Sequence, residues 1–137
     1  VVQPVVWGEA DLVIGSRVLG EAEAGALLPH QRFGNWLACV LVRLLYGRRY
    51  TDLGPFRAIR MDALRGLGMR DRTYGWTLEM QVRAVQQGLR VLEVPVRYRV
   101  RRAGVNKVSG NLKASLRAGW VITSQVFRLW LRRPAER

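Results

Sequence analysis

Side chains that bind metals or form disulfides are scarce in this sequence. Its 137 residues include one cysteine, Cys39, and one histidine, His30. One cysteine excludes an intrachain disulfide and a zinc site built from cysteines. No run of about 18 uninterrupted apolar residues occurs, so no membrane-spanning helix is predicted. The motifs of zinc proteases, of serine hydrolases with a nucleophile elbow and of Walker-type nucleotide-binding loops are also absent.

Negative charge is in short supply as well. Lysine and arginine number 23 against 10 acidic residues, a formal net charge of +13, and the lysines are Lys107 and Lys113 alone. A basic surface favours phosphorylated ligands, nucleic acid or an anionic membrane. Nucleic-acid binding would require basic residues clustered on one face with aromatic side chains for stacking. Here the arginines are scattered and most aromatic residues lie on predicted core stripes, so a nucleic-acid-binding module is the lesser alternative and no nucleic acid is expected as a partner.

Apolar residues, in contrast, are plentiful, at 49% of the chain. Their periodicity predicts strands at 10–15, 56–60 and 90–100, and helices at 30–46, 62–67, 76–87 and 111–133. Strands that alternate with helices indicate an α/β fold. Three strands make a thin sheet for a complete domain, and the sequence opens on what reads as the end of a helix. We therefore expect the N-terminal half of the fold to be missing from this chain.

The same periodicity assigns faces to three of these elements. In the helix at 30–46, the residues expected to face the core are Phe33, Trp36, Leu37, Val40, Leu41, Leu44 and Leu45. In the strand at 90–100, alternation is expected to place Leu92 and Val94 on one face and to turn Glu93 outward. The helix at 111–133 is predicted to be amphipathic, with aromatic residues opposite a basic stripe.

Five stretches carry side chains suited to binding or chemistry. They are Arg17 after the first strand, Arg32 with Asn35 near a helix start, Asp52 before a Gly-Pro turn, Glu79 within YGWTLEMQ, and a basic loop with Arg102, Lys107 and Ser109. Ligands of open α/β sheets bind beyond the carboxyl ends of strands, and cations with free backbone N–H groups suit phosphate. Structural alternatives remain open: solvated arginines, an Asx turn at Asp52, and a surface ion pair between Glu79 and Arg83.

In this order, the stretches resemble the second half of family 2 glycosyltransferases, in the polyprenyl-phosphate branch that includes dolichyl-phosphate mannose synthases. The matching segments are ADLVIGSR, LPHQRFGNWL, TDLGPFRAIR, YGWTLEMQ with GLRVLEVPVRYR, and NKVSG. The resemblance implies a GT-A fold of Rossmann-like α/β type, of which residues 1–137 form the C-terminal, acceptor-side half, ending in the long amphipathic helix at 111–133. The nucleotide-binding half and the family's metal-binding Asp-x-Asp motif have no counterpart here, so no metal ligand is assigned within the chain.

The resemblance also implies roles for individual residues. Arg17 and Arg32 match arginines that grip phosphate beside the acceptor loop, and Asn35 and Arg102 join this phosphate-binding set. Asp52 matches the acid before the Phe-Arg strand, Glu79 matches an acid on the next helix, and both are assigned as catalytic. Lys107 and Ser109 match a loop that closes over the donor phosphates. Pro55 and Asn106 depart from the family pattern, and these departures concern the contacts to the donor.

The implied reaction is transfer of a sugar from a nucleotide-sugar donor to an acceptor by in-line displacement with Mg²⁺ or Mn²⁺. The expected acceptor is a polyprenyl or dolichyl phosphate lipid, which needs no general base; an alcohol acceptor would require Asp52 or Glu79 to take its proton, and the sequence does not decide between the two. The chain alone is expected to be inactive. The expected location is the cytoplasm, at the inner face of the cell membrane, in cell-envelope synthesis, with a peripheral membrane surface and a homo-oligomer as further partners. The alternative is a non-catalytic subunit that binds a lipid or a partner, and an upstream Asp-x-Asp motif would distinguish the enzyme from it.

Overall fold

A small mixed sheet with helices packed against it forms the core of the chain. The computed structural model describes residues 1–72, 75–100 and 112–131, and for 112–118 the backbone alone. In chain order the elements are α1 (Gln3–Val6), β1 (Leu12–Ser16), α2 (Pro29–Tyr46), β2 (Arg57–Ile59), α3 (Met61–Leu67), α4 (Trp76–Gln86), β3 (Val91–Pro95) and α5 (Leu112–Leu131). The predicted α/β class is thereby confirmed.

The central strand β1 is buried along its whole length. It pairs antiparallel with β2, where Leu12 lies opposite Ile59, and parallel with β3, where Ile14 lies opposite Glu93. The apolar run of the sequence fits this position, because a strand with neighbours on both sides reads as continuously hydrophobic. Within the described residues β2 and β3 are the two edges of the sheet, and Pro95, which has no N–H to donate, ends one of them.

The apolar core lies between the sheet and helices α2, α4 and α5. Ile14 of β1, Val42 of α2, Leu78 of α4 and Val126 of α5 belong to one cluster, and each is fully buried. Burying an aliphatic side chain of this size contributes about 1.5–3 kcal/mol. The Tyr46 hydroxyl donates to the Val126 carbonyl at 2.9 Å, which ties α2 to α5 through a buried hydrogen bond.

The buried face of α2 corrects one prediction. Its buried residues are Ala38, Cys39, Val42 and Tyr46, with Leu41 and Leu45 packed on the same cluster. Phe33, Trp36 and Leu44, which were predicted to face the core, are 61%, 58% and 74% exposed. Apolar residues surround most of this helix, so spacing alone did not tell which of two neighbouring stripes is buried.

Strand β3 corrects a second prediction, since it is shorter than expected and its faces are reversed. It ends at Pro95, where its partner β1 ends at Ser16. Among the described residues after Pro95, the pairing continues as a bridge between Ala22 and Tyr98. Leu92 is exposed, whereas Glu93 shares the core-facing side of the sheet with Ile14. The strand carries apolar residues on both faces, so its alternation did not identify the buried one.

Helix α5 packs against α2 and α4 and leaves an apolar surface exposed. Val126 is buried and Ile122 packs on the core, while Trp120, Phe127 and Leu131 remain exposed to solvent. Among the described residues, none of the helices has both the length and the apolar character that a membrane crossing requires.

Candidate functional site

Asp52 lies at a cavity beside the carboxyl end of β1. The cavity has a volume of about 780 Å³ and is bordered by the loop after β1, by α2 and by the segment at 49–52. Its polar and ionisable lining includes Arg17, Glu21, Gln31, Arg32, Asn35, Arg43, Arg49, Thr51 and Asp52. The fold therefore brings together four residues that the sequence predicted for a site, Arg17, Arg32, Asn35 and Asp52.

The Asp52 carboxylate is completely buried and is held by Arg17. Its Oδ2 accepts hydrogen bonds from the backbone N–H and from Nε of Arg17, both at 2.8 Å, and its Oδ1 accepts one from Nη2 at 2.6 Å. Such bidentate, charge-assisted pairs are the strong class of hydrogen bond. The bond to Asp52 raises the pKa of Arg17 above its ordinary value. Both carboxylate oxygens thus accept hydrogen bonds from Arg17, and these bonds fix the orientation of the Arg17 side chain.

Two amide side chains hold the turn that carries Asp52. The Asn35 Oδ1 accepts from the Leu53 N–H at 2.8 Å, and its Nδ2 donates to the Thr51 carbonyl at 3.1 Å. From α4, the Gln81 Nε2 donates to the Asp52 carbonyl at 2.9 Å. Both polar ends of Asn35 therefore bond to the protein backbone and shape the site, and its Nδ2 has a second hydrogen beyond the bond to Thr51.

Glu93 completes this support and was missed by the sequence reasoning. Its Oε1 and Oε2 each accept from the Thr51 N–H at 3.0 Å, and Oε1 also accepts from the Thr51 hydroxyl at 2.9 Å and from the Asp52 N–H at 3.2 Å. The Thr51 hydroxyl lies 2.7 Å from the Ser16 hydroxyl. An acid inside an apolar strand is the signal that could have identified it, since buried acids require partners.

Three further arginines give the cavity its positive charge. Arg32, Arg43 and Arg49 line it, are exposed, and form no ion pair or side-chain hydrogen bond with any residue that the structure describes. Arg17 is neutralised by Asp52, and the remaining acid, Glu21, pairs with Arg97 at 3.4 Å. The cavity therefore suits an anionic group. The sequence spacing indicates part of this arrangement, because Arg32 and Arg43 are separated by about three helical turns and therefore lie on one side of α2.

Neutral groups form the inner wall of the cavity. Cys39 is buried, and burial raises the pKa of its thiol to about 12. Tyr50 is buried as well, its hydroxyl donates to the Gln81 carbonyl at 3.3 Å, and burial raises its pKa. Neither side chain is therefore ionised near neutral pH, and the expectation that Cys39 is a small buried hydrophobic residue is confirmed.

Glu79, the second acid predicted to be catalytic, lies at a different cavity. Its carboxylate is buried and accepts hydrogen bonds from the backbone N–H groups of Arg70 and Asp71 and from Nε of Arg83 at 2.7 Å. It lines a cavity of about 630 Å³ between α4 and α5. The structure does not bring Glu79 to Asp52. Glu79 forms the ion pair with Arg83 that the structural alternative predicted, but the Glu79 carboxylate is buried rather than on the surface, and it also binds the backbone of Arg70 and Asp71.

The remaining predicted residues, Arg102, Lys107 and Ser109, lie outside the described part of the chain. Within that part, no three side chains of Asp, Glu, His or Cys come together as a metal-binding group. The buried Asp52 carboxylate is paired with Arg17 through both of its oxygens. The described residues therefore do not form the site for the divalent ion that the family resemblance implies.

Comparison with known proteins identifies relatives of this chain. It is 39% identical over 108 residues to an uncharacterized glycosyltransferase of Mycobacterium tuberculosis, covering 78% of this chain and 48% of the relative. It is 31% identical over 107 residues to an undecaprenyl-phosphate mannosyltransferase of Micrococcus luteus, covering 75% and 44%. A low-salt glycan biosynthesis hexosyltransferase of Haloferax volcanii is 29% identical over 101 residues, covering 72% and 24%.

No protein-family model and no solved structure matches the chain. The chain spans about half the length, or less, of these curated relatives. The relatives nevertheless confirm the resemblance that the sequence motifs indicated: the homologues of this chain are glycosyltransferases, and one of them is an undecaprenyl-phosphate mannosyltransferase.

Proposed function

We propose that this chain is the acceptor-side half of a GT-A glycosyltransferase that transfers a sugar from a nucleotide-sugar donor to a polyprenyl phosphate. The observation that carries the proposal is the arginine-lined cavity at Asp52, in a chain homologous to an undecaprenyl-phosphate mannosyltransferase. Arginine is well suited to bind phosphate through two parallel hydrogen bonds. Trp36 and Val40 line the same cavity, and they offer apolar surface to the first units of a lipid chain.

The bonding of Asp52 favours a phosphate acceptor over an alcohol. In the proposed reaction an acceptor phosphate oxygen forms a bond to C1 of the sugar, and the bond from C1 to the leaving nucleoside diphosphate breaks. A phosphate monoester is already an anion at neutral pH, so no general base is required. An alcohol would have to lose its proton to a base, whereas the Asp52 carboxylate is buried and paired with Arg17. Asp52 then acts by orienting Arg17 toward the acceptor.

A divalent ion is part of this proposal, although the described residues do not form its site. In the family that the chain resembles, the ion is held by an Asp-x-Asp motif, which we expect in the N-terminal half of the intact protein. There it would neutralise charge on the leaving diphosphate. The residues of this chain would contribute acceptor binding and orientation.

The intact gene product is expected to transfer label from one of a panel of nucleotide sugars to farnesyl phosphate, in the presence of Mg²⁺ or Mn²⁺, and not to farnesol. Arg43→Gln should raise the KM for farnesyl phosphate about tenfold, since a hydrogen bond between charged groups contributes about 1.5–3 kcal/mol. Arg65→Gln is the control, because Arg65 is an exposed arginine of α3 away from the cavity.

Equal transfer to farnesol would contradict the phosphate acceptor, and no transfer with any donor would contradict the enzymatic function. Binding of farnesyl phosphate without transfer would instead support the non-catalytic lipid-binding subunit.

We also propose that two exposed apolar stripes rest on an anionic membrane surface. On α2 the stripe is Phe33, Trp36 and Leu44, with the half-buried Val40 between them, and on α5 it is Trp120, Phe127 and Leu131. The Phe33 and Trp36 rings are in contact, with centroids 5.8 Å apart. Arg32 and Arg43 flank the α2 stripe, and basic residues beside an exposed apolar stripe are typical of helices that lie in a membrane interface.

The double variant Phe33→Ser, Trp36→Ser is expected to co-sediment with phosphatidylglycerol vesicles at least about fivefold less than wild type, because each aromatic side chain contributes apolar area to the membrane contact. Met61→Ser, which replaces an exposed apolar residue of α3, serves as the control. Wild-type co-sedimentation that does not increase with the anionic lipid fraction would contradict this membrane contact.

A further inference from the structure

We infer that Glu93 is a positioning residue that fixes Arg17 at the cavity, acting through Asp52, Thr51 and Ser16. The inference deepens the proposed function and rests on it for the identity of the anion that Arg17 faces. Glu93 itself does not line the cavity. Its effect on a ligand would therefore pass through the residues that it holds.

The first step is the contact of Glu93 with the backbone of the Asp52 turn. One carboxylate accepts the N–H groups of both Thr51 and Asp52, at distances of 3.0 to 3.2 Å. The two segments are about 40 residues apart in the sequence, so β3 determines where this turn lies. The position of this turn sets the direction of the Asp52 carboxylate. Arg17 is bound to that carboxylate through three hydrogen bonds.

The second step is a directed chain of hydroxyl groups. The Thr51 hydroxyl donates its single hydrogen to Glu93 at 2.9 Å, so in its 2.7 Å contact with Ser16 it must be the acceptor and Ser16 the donor. The Ser16 oxygen accepts the Leu19 N–H at 3.1 Å. This chain begins at the loop that contains Arg17 and ends at the Glu93 carboxylate. Glu93 thus holds the side chain of Arg17 through Asp52, and it holds the backbone of the loop that contains Arg17 through Thr51 and Ser16.

The chemistry of this arrangement requires an acceptor without hydrogens at position 93. All three groups that meet the carboxylate, two backbone N–H groups and one hydroxyl, are donors. Glutamine has nearly the same shape but offers an NH₂ group in place of one oxygen. In Glu93→Gln the NH₂ group of the side chain therefore meets at least one other hydrogen-bond donor, and no hydrogen bond can form at that contact. With the glutamine oxygen at the Oε1 position, the NH₂ group faces the Thr51 N–H, and we expect this repulsion to displace the Thr51–Asp52 turn and, with it, the guanidinium group of Arg17.

The test uses the intact gene product in the absence of ligand, with four variants. Glu93→Gln and Thr51→Val break the chain, Thr51→Ser keeps the hydroxyl, and Glu9→Gln removes an exposed carboxylate in the segment before β1. The readout is the Nε–H nuclear magnetic resonance signal of Arg17, assigned by its disappearance in Arg17→Lys. We expect a sharp signal, protected from exchange with water, in the wild type, in Thr51→Ser and in Glu9→Gln. In Glu93→Gln and Thr51→Val it should be shifted and exchange with water at least about tenfold faster.

An unchanged Arg17 signal in Glu93→Gln and Thr51→Val would overturn the inference, and so would a Thr51→Ser variant that behaves like Thr51→Val. A second measurement connects the result to function: the two disruptive variants should raise the KM for farnesyl phosphate about tenfold and leave the KM for the nucleotide sugar unchanged. An equal rise in both KM values would count against a positioning role at the acceptor. If the wild type transfers no sugar while the Arg17 signal follows the expected pattern, the proposed function fails and the role of Glu93 stands.

Discussion

Asp52→Asn is expected to lower sugar transfer by the intact gene product at least about 100-fold and to reduce the free energy of unfolding by about 3–5 kcal/mol. The buried carboxylate accepts three hydrogen bonds from Arg17. Asparagine would turn an NH₂ group toward a guanidinium group and would leave the positive charge of Arg17 without its partner. Removing one member of a buried ion pair is costly for this reason.

Urea denaturation and initial rates of transfer at one temperature measure the two effects separately. Asp62→Asn is the matched control, because the Asp62 carboxylate is 67% exposed and its pair with Arg60 is open to solvent. We expect that variant to lie within about 0.5 kcal/mol of wild type. Wild-type transfer by Asp52→Asn would remove Asp52 from the site.

A double variant separates the stability role from the functional one. In Arg17→Gln, Asp52→Asn both charges are gone, so no unpaired charge is left in the buried position. Stability should therefore recover relative to Asp52→Asn, while transfer stays low, because the guanidinium group that we propose to bind the acceptor phosphate is missing. Recovery of transfer together with stability would show that the pair serves only the fold.

Gly54→Ala is expected to destabilise the protein by about 2–3 kcal/mol, the cost of forcing an extra methyl group into a packed region. A Cβ atom at position 54 would lie 2.5 Å from the Gly15 carbonyl oxygen and 3.2 Å from Oδ2 of Asp52. The nearer atom belongs to the backbone at the end of β1, which is buried and cannot easily give way. The strain should also displace Asp52 and so lower transfer.

Gly34→Ala is expected to change the free energy of unfolding in the opposite direction, measured by the same urea denaturation. Gly34 lies inside α2, and no atom comes within 4 Å of the place where its Cβ would be. Alanine there should stabilise the helix by about 0.5–1 kcal/mol. A Gly54→Ala midpoint equal to that of wild type would mean that the turn has room for a side chain, and the close approach to Gly15 would then be wrong.

The motifs and the family resemblance predicted which residues belong to the site. Four of them, Arg17, Arg32, Asn35 and Asp52, line one cavity, whereas Glu79 lies at another. No spacing rule could predict that Asp52 is bound by Arg17, since the two residues are 35 positions apart. Their pairing depends on how a turn and a loop meet in three dimensions.

The misjudged features share a physical cause. Helix α2 and strand β3 are apolar on more than one face, so the periodicity that separates inside from outside carries little information there. For this reason Phe33 and Trp36 were assigned to the core and Glu93 to the solvent. The i, i+4 spacing of Glu79 and Arg83 indicated their ion pair, whereas no pattern in the sequence predicted the bonds from the Arg70 and Asp71 backbone to Glu79.

The contrast between the buried Arg17–Asp52 pair and the exposed arginines implies two responses to ionic strength. Salt screens charges in solvent over a distance of about 8 Å under physiological conditions and acts much less on buried pairs. The attraction of Arg32, Arg43 and Arg49 for an anion should therefore weaken as salt is added, while the buried Arg17–Asp52 pair keeps its geometry. The same cavity can then hold its ligand tightly at low salt and exchange it readily at high salt, without any rearrangement of the protein.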